Sequence, residues 1–344
     1  MQRCLTLAKK GLGSTRQNPM VGCVIVHNNL IIGEGYTSAY GGNHAEVNAI
    51  DSVENKEILQ KATLYVSLEP CSHHGKTPPC ADLIVKYKIK EVIVGTIDDN
   101  SLVRGKGVEH LKNNGCKVSV GVLEEECKEM NKRFFTFHNK KRPYVILKWA
   151  ETRDGFIDII RKERSEKNPN WISNKISQQL VHKWRSEEQS ILVGTNTVIN
   201  DNPRLNVRRW VGENPVRLIL DNSLRIPHDF CVFDGSVKTI VFTSSRAMFA
   251  KVKENVILEY IDYAKSIPKQ ICDKLYKCDI QSVIVEGGAQ ILQSFIYDQL
   301  WDEARIFIGN STFGEGLRAP RIEGEIKSIE DVDTDKLKLL LPKK

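Results

Sequence analysis

Long apolar runs are missing from this chain: nowhere in its 344 residues is there the stretch of roughly 20 that a membrane-spanning helix needs. The opening Met1-Gln2-Arg3-Cys4 does not read as a secretion signal, so a cytoplasmic protein is expected. Nine cysteines are an odd and thinly spread set, which speaks against a disulfide framework and for reduced thiols with a metal site. Aromatic residues make up only 7%, and they do not interleave with basic clusters such as Lys140-Lys141-Arg142 in the way that stacks bases. The net charge of +7 therefore points to a phosphorylated small molecule or cofactor, and neither a nucleic-acid nor a membrane partner is expected. No Gly-x-Gly-x-x-Gly fingerprint occurs, which argues against a standard Rossmann dehydrogenase.

Hydrophobic residues at 41% and charged residues at 27% suit a globular protein, and the length allows two domains with separate cores. The chemistry concentrates in His44-Ala45-Glu46 and in the run Leu68-Glu-Pro-Cys-Ser-His-His-Gly-Lys-Thr-Pro-Pro-Cys80. His44, Cys71 and Cys80 make three ligands, the number a catalytic zinc takes when its fourth position is kept for water. Glu46 would sit beside that water as proton carrier, taking a proton from it and delivering it to a departing amine. The arrangement resembles that of hydrolytic nucleobase deaminases, whose signature is His-x-Glu with Pro-Cys-x-x-Cys, except that here eight residues separate Cys71 from Cys80. A structural zinc would prefer four protein ligands and needs no neighbouring carboxylate, so a zinc-stabilised binding module fits less well. His73 and His74 lie between the ligands and suit a substrate loop better than a metal. Cys4, Cys23, Cys116, Cys127, Cys231, Cys272 and Cys278 read as structural.

The apolar spacing predicts an opening helix, a hairpin Val21–Val26 with Leu30–Tyr36, and a helix from Ala45 whose first turn holds His44 and Glu46. Strand Thr63–Ser67, helix Cys80–Tyr87, strands Glu91–Gly95 and Lys117–Val120, and one last helix Glu124–Phe137 complete a mostly parallel α/β pattern. His138-Asn-Lys-Lys-Arg-Pro143 is a polar linker and the expected domain boundary. Beyond it, strands at Tyr144–Trp149, Ser190–Val193, Val216–Leu220, Thr239–Thr243, Val256–Tyr260, Ser282–Val285 and Glu303–Ile308 alternate with helices. One of these is capped by Ser173 or Asn174, and Ile176, Leu180, Val181 and Trp184 share its apolar face. Gly194–Pro203 reads as polar and turn-rich. The pair Gly287-Gly288, between a strand and a helix, suits close approach of backbone to a phosphate, though such pairs are common.

Residues 1 to about 140 resemble the deaminase domain of the bifunctional riboflavin biosynthesis enzymes. The resemblance rests on Asn18-Pro19-Met20-Val21-Gly22-Cys23, His44-Ala45-Glu46-Val47 and the whole Leu68–Cys80 run, whose insert between the two cysteines is particular to that family. The second half is similar to the reductase domain of the same enzymes, through Lys148, Asp154-Gly155, Trp171-Ile172-Ser173, Arg185, Thr197-Val198, Asp201, Leu205, Arg208 and Val285-Glu286-Gly287-Gly288. The chain departs from that family at Met20, where a second Asn is usual. It departs again in the Asp98–Gly107 loop, at Thr152-Arg153 and at Pro169.

The resemblance implies a cytidine-deaminase-like three-layer α/β domain over residues 1–140 and a dihydrofolate-reductase-like domain over 143–344. It further implies zinc on His44, Cys71 and Cys80, with Glu46 as the acid–base group. In the second domain NADPH would meet Ala150, Trp171, Thr197, Asp201, Gly287 and Gly288, while the substrate would meet Arg185, Leu205, Arg208 and Glu286. The implied reactions are hydrolytic deamination of a phosphoribosylamino pyrimidine, followed by NADPH-dependent reduction of its ribosyl group, with Lys148 or Asp154 as candidates to assist. A homo-oligomer built through the reductase domains is expected on the same ground.

Overall fold

The computed structural model describes residues 1–72, 78–98, 104–160, 170–245 and 253–343. Two compact units meet at Lys141/Arg142, Met1–Lys141 and Arg142–Lys344.

The first unit is built on strands β1 (Gly22–His27), β2 (Leu30–Tyr36), β3 (Thr63–Leu68), β4 (Glu91–Thr96) and β5 (Lys117–Val120), in the order β2-β1-β3-β4-β5. β1 runs antiparallel to both neighbours, whereas β3, β4 and β5 are parallel. The alternation along β1 sorts its side chains between two layers of helices. Cys23 and Ile25 join the main core, and Val24 packs with Cys4 and Leu7 on the opposite face. The helices are α1 (Gln2–Ala8), α2 (Ala45–Asp51), α3 (Cys80–Lys86), α4 (Lys106–Asn113), α5 (Glu124–Met130) and α6 (Lys132–Lys140). The segment Glu124–Phe137, expected as one last helix, thus folds as parts of two. Between them, Asn131 turns its buried side chain back to clamp residue 20, accepting the Met20 N–H at 2.8 Å and donating to the Met20 carbonyl at 3.1 Å.

The second unit carries a nine-stranded sheet. Its strands are β6 (Tyr144–Glu151), β8 (Ser190–Gly194), β9 (Val216–Leu220), β10 (Thr239–Thr243), β11 (Val256–Tyr260), β12 (Ser282–Gly287), β13 (Glu303–Ile308), β15 (Glu325–Val332) and β16 (Asp335–Leu341). They are ordered β11-β10-β9-β8-β12-β6-β13-β16-β15, and a small sheet pairs β7 (Phe156–Asp158) with β14 (Leu317–Arg318). Helices α7 (Lys175–Glu187) and α8 (Thr195–Asp201) cover one face, with Val181, Trp184 and Val198 against Tyr144 and Ile146. Helices α9 (Ile267–Lys277) and α10 (Ala289–Tyr297) cover the other, with Leu275, Leu292 and Phe295 against Val145 and Leu147.

Two local expectations are corrected. The stretch expected to be turn-rich forms α8, because extended Gly194 starts it and Val198 anchors it in the core. On α7, capped by Asn174 through the Ser177 N–H, Ile176 is 54% exposed, and the buried stripe is Ser177, Val181, His182 and Trp184.

α2 lies so close to β2 that a side chain on Gly35 has no room: a Cβ there would stand 2.3 Å from the Ala45 carbonyl oxygen and 2.3 Å from the Ala49 nitrogen. Both are backbone atoms of the helix that presents Glu46. Gly35→Ala should therefore cost about 3 kcal/mol in urea unfolding, within the range for overpacked positions, and should lower the metal content of the folded fraction. A variant matching the parent in both respects would show that α2 is not held this tightly.

Candidate active sites

The β3 strand ends at Leu68, and the chain continues through Glu69-Pro70 into Cys71. Cys80 opens α3, and His44 is the residue immediately before α2, in extended conformation rather than within its first turn. The Cys71 and Cys80 sulfurs stand 3.6 and 3.4 Å from His44 Nδ1, and the three donor atoms all lie within 4.8 Å of one another. Donors on one tetrahedral zinc at ordinary bond lengths are about 3.6 Å apart, so the triangle has the size of a metal site. Its charge fits too. Hydrogen bonding from Cys80 and then from His44 pushes the Cys71 thiol down to about 4, while the same bond to Cys71, followed by burial, pushes Cys80 up. Alone, the pair holds one negative charge between two sulfurs, and a divalent cation lets both ionise. Glu46, in the first turn of α2 and 3% exposed, is pushed up to about 7 by burial and then by the Cys71 charge. It is hydrogen-bonded to Cys80.

Glu69 is a further member of this neighbourhood. Its carboxylate accepts the N–H groups of Asp98 (3.2 Å), Gly105 (3.0 Å), Gly107 (2.8 Å) and Val108 (3.1 Å). One side chain thereby pins both ends of the 98–108 segment and the start of α4, where Gly107 packs against Pro70, the neighbour of Cys71.

In the second unit a cleft of about 890 Å³ opens at the carboxyl ends of the parallel strands. From β8 the chain moves outward to β9, whereas from β12 it passes over β6 to β13, so α8 and α10 diverge and leave a crevice at the switch point. Its floor is a buried ion cluster. Arg185 donates twice to Glu286, at 2.8 and 2.7 Å, and Lys148 Nζ lies 3.7 Å from the same carboxylate. Burial would raise the Glu286 carboxyl, but Arg185 and Lys148 outweigh it and hold it down at about 2. Burial lowers Lys148 despite Glu286. Gly287, at φ +148°, adopts backbone that side chains rarely take, and a Cβ there would meet Thr197 Oγ1 at 3.3 Å.

Comparison with known proteins matches residues 143–339 to the RibD C-terminal domain and residues 1–96 to the cytidine and deoxycytidylate deaminase zinc-binding region. The riboflavin biosynthesis protein RibD of Aquifex aeolicus is 42% identical over 334 residues, covering 96% of this chain and 91% of that one. RibD of Actinobacillus pleuropneumoniae is 38% identical, covering 98% and 90%. The crystal structure of a diaminohydroxyphosphoribosylaminopyrimidine deaminase/5-amino-6-(5-phosphoribosylamino)uracil reductase from Thermotoga maritima is also similar. It has 40% identity and a TM-score of 0.90, with coverage of 99% and 97%. The chain belongs to the RibD family of riboflavin biosynthesis proteins.

A RibD protein is a bifunctional enzyme, with a zinc-dependent deaminase and an oxidoreductase acting in turn on the way to riboflavin. The α/β architecture expected from the sequence, a cytidine-deaminase-like domain followed by a reductase-like one, is the RibD architecture. The ten second-unit residues expected at cofactor or substrate line one cleft: Ala150, Trp171, Arg185, Thr197, Asp201, Leu205, Arg208, Glu286, Gly287 and Gly288. Lys148 lines it as well. Asp154 does not: its carboxylate is occupied by Thr152 and by the N–H groups of Phe313 and Gly314, so it braces a turn. Of the seven cysteines read as structural, Cys4, Cys23, Cys116, Cys127 and Cys272 are buried, whereas Cys231 is half-buried and Cys278 is exposed and packs in no core. His73, His74, residues 99–103 and Pro169 lie outside the described residues. Among the described residues no helix is long and apolar enough to cross a membrane. Glu69 and His182 escaped sequence reasoning, because each acts by gathering backbone N–H groups distant in the chain.

Cys80→Ser should reduce bound zinc from one per chain to well below half by metal analysis, since an alcohol ionises far less readily than a thiol and makes a poor zinc ligand. Undiminished zinc in that variant would remove Cys80 from the ligand set.

Proposed function

We propose that residues 1–140 hydrolyse the 2-amino group of 2,5-diamino-6-(5-phosphoribosylamino)pyrimidin-4-one, and that residues 143–344 then reduce the ribosyl group of the product to ribityl with NADPH. The observation that carries the reading is the donor triangle of His44, Cys71 and Cys80 with a buried carboxyl, Glu46, beside it. The activities named for the Thermotoga maritima protein, at 40% identity, support the same choice of substrate.

His44, Cys71 and Cys80 would hold zinc, whose Lewis acidity would make a water nucleophilic near neutral pH. The water attacks the ring carbon bearing the amine, and the C–N bond to that amine breaks. Glu46 takes the water's proton and returns it to the nitrogen, which leaves as ammonia. A group held near neutrality by burial is suited to both halves of that exchange.

The cleft would hold NADPH, which would supply a hydride for the open form of the sugar. Gly287 and Gly288 let backbone come close to the cofactor at the start of α10, with Ala150, Trp171, Thr197 and Asp201 as its side-chain and wall contacts. Arg185 and Glu286 orient each other and the sugar, and Arg208 reads the substrate's phosphate. Lys148, shed of part of its charge preference by burial, is the group placed to assist proton delivery.

Glu46→Gln keeps size and hydrogen-bonding reach but cannot carry the proton. Deamination should fall by a factor on the order of 10² to 10⁴ with zinc retained, while NADPH oxidation on already deaminated substrate is unchanged. Collapse of both activities in a folded, zinc-replete protein would sink the division into two sites.

We also place the protein in the cytoplasm, in keeping with its nine free cysteines, and assign it self-association through the second unit. β15 is the outer strand of the large sheet, and it exposes Ile326 and Ile329 at 53% and 55%. Sedimentation at micromolar concentration should give a dimer or larger, and Ile329→Lys should shift it toward monomer. A parent chain that sediments as a monomer contradicts this.

A further inference from the structure

His182 lies on α7 one turn before Arg185, is only 4% exposed, and lines the reductase cleft. Its Nδ1 faces the backbone N–H of Arg208 at 3.2 Å. A backbone amide can only donate, so Nδ1 is the acceptor and the ring proton belongs on Nε2. That assignment follows from the hydrogen-bond network. No described residue accepts from Nε2.

The surroundings say what kind of atom does. Arg185 is engaged with Glu286, Arg208 Nη1 is steadied by Asn206 Oδ1 at 2.8 Å, and Arg209 is steadied by Gln178. Arg204, Arg208 and Arg209 all border the same cleft. Burial, then the charges of Arg185 and Arg208, push His182 down to about 4, so the ring stays neutral and its Nδ1 stays free to accept. The ring lines a cleft edged with guanidinium groups, and an anionic oxygen drawn there by those charges is a suitable acceptor for its N–H.

We propose that His182 is a further substrate-recognition residue of the reductase, holding the Arg208 backbone through Nδ1 and donating through Nε2 to a phosphate oxygen of the substrate. The proposal rests on the reading that Arg208 meets that phosphate. It goes further in giving the phosphate a neutral donor beside the charged one. The neutral donor adds direction, which a guanidinium cluster alone supplies poorly to a single oxygen.

Two replacements separate the roles. The side-chain oxygen of His182→Asn can take over from Nδ1 and keep Arg208 in place, but its amide stops short of the Nε2 position. His182→Ala removes both contacts.

The test uses full-length, zinc-replete protein with already deaminated substrate, phosphorylated and dephosphorylated, and measures NADPH binding by fluorescence. His182→Asn should raise KM for the phosphorylated substrate about tenfold, as expected for a lost hydrogen bond to a charged group, with little change for the dephosphorylated one. NADPH affinity should hold. His182→Ala should raise KM further.

An unchanged KM in His182→Asn overturns the donor role, and an equal rise with both substrates shows that the partner is not the phosphate. Weaker NADPH binding with normal KM would move His182 to the cofactor. If His182→Ala does not fold, the Asn variant decides alone. Arg208→Ala belongs in the same series: a normal KM there overturns the phosphate reading itself, whereas an impaired Arg208→Ala beside a normal His182→Asn overturns only the inference.

Discussion

Arg185, Glu286 and Lys148 face the constraint that shapes both halves of this molecule: an ionised side chain taken out of water must find its counter-charge in the protein. The bidentate pair does more than neutralise. It ties α7 to the end of β12, and with it the two elements whose neighbours, α8 and α10, form the walls of the cleft. The first unit meets the same constraint differently. Two thiols and a carboxyl crowd together at His44 and cannot all ionise there, so the negative charge waits for a cation. One unit closes its charge balance internally, while the other is completed by a metal.

Much of this was visible in the amino-acid sequence, for definite physical reasons. The meeting of His44, Cys71 and Cys80 is legible because metal chemistry restricts both residue type and number. The central strands are legible because burial on both faces forces continuous apolar runs, as in Val283-Ile284-Val285. α8 was not legible: Thr-Asn-Thr-Val-Ile-Asn-Asp has little intrinsic preference for helix, and tertiary burial of Val198 makes it one. The outer strand β15 is exposed along most of its length and carries little apolar alternation to announce it. Asn131, which breaks a run of helical character, does so for a partner 111 positions away, beyond any local pattern.

The two polar residues that the sequence concealed share a mode of action. Glu69 and His182 each accept from backbone N–H groups, and a backbone N–H has no residue identity to read. Such contacts position the residues that carry chemistry. Glu69 sits two places before Cys71, and His182 holds the chain at Arg208.

Glu69 also has a consequence for how this loop can change over evolutionary time. Because one carboxylate receives amides from Asp98 on one side and from Gly105, Gly107 and Val108 on the other, the two ends of the segment are fixed independently of what joins them. Lengthening a loop whose ends are already held costs little, since closure entropy grows only with the logarithm of its length. Insertions and deletions between those anchor points can therefore accumulate without moving Cys71, which frees this edge of the deaminase to be rebuilt for a different substrate while the metal-binding geometry is inherited intact.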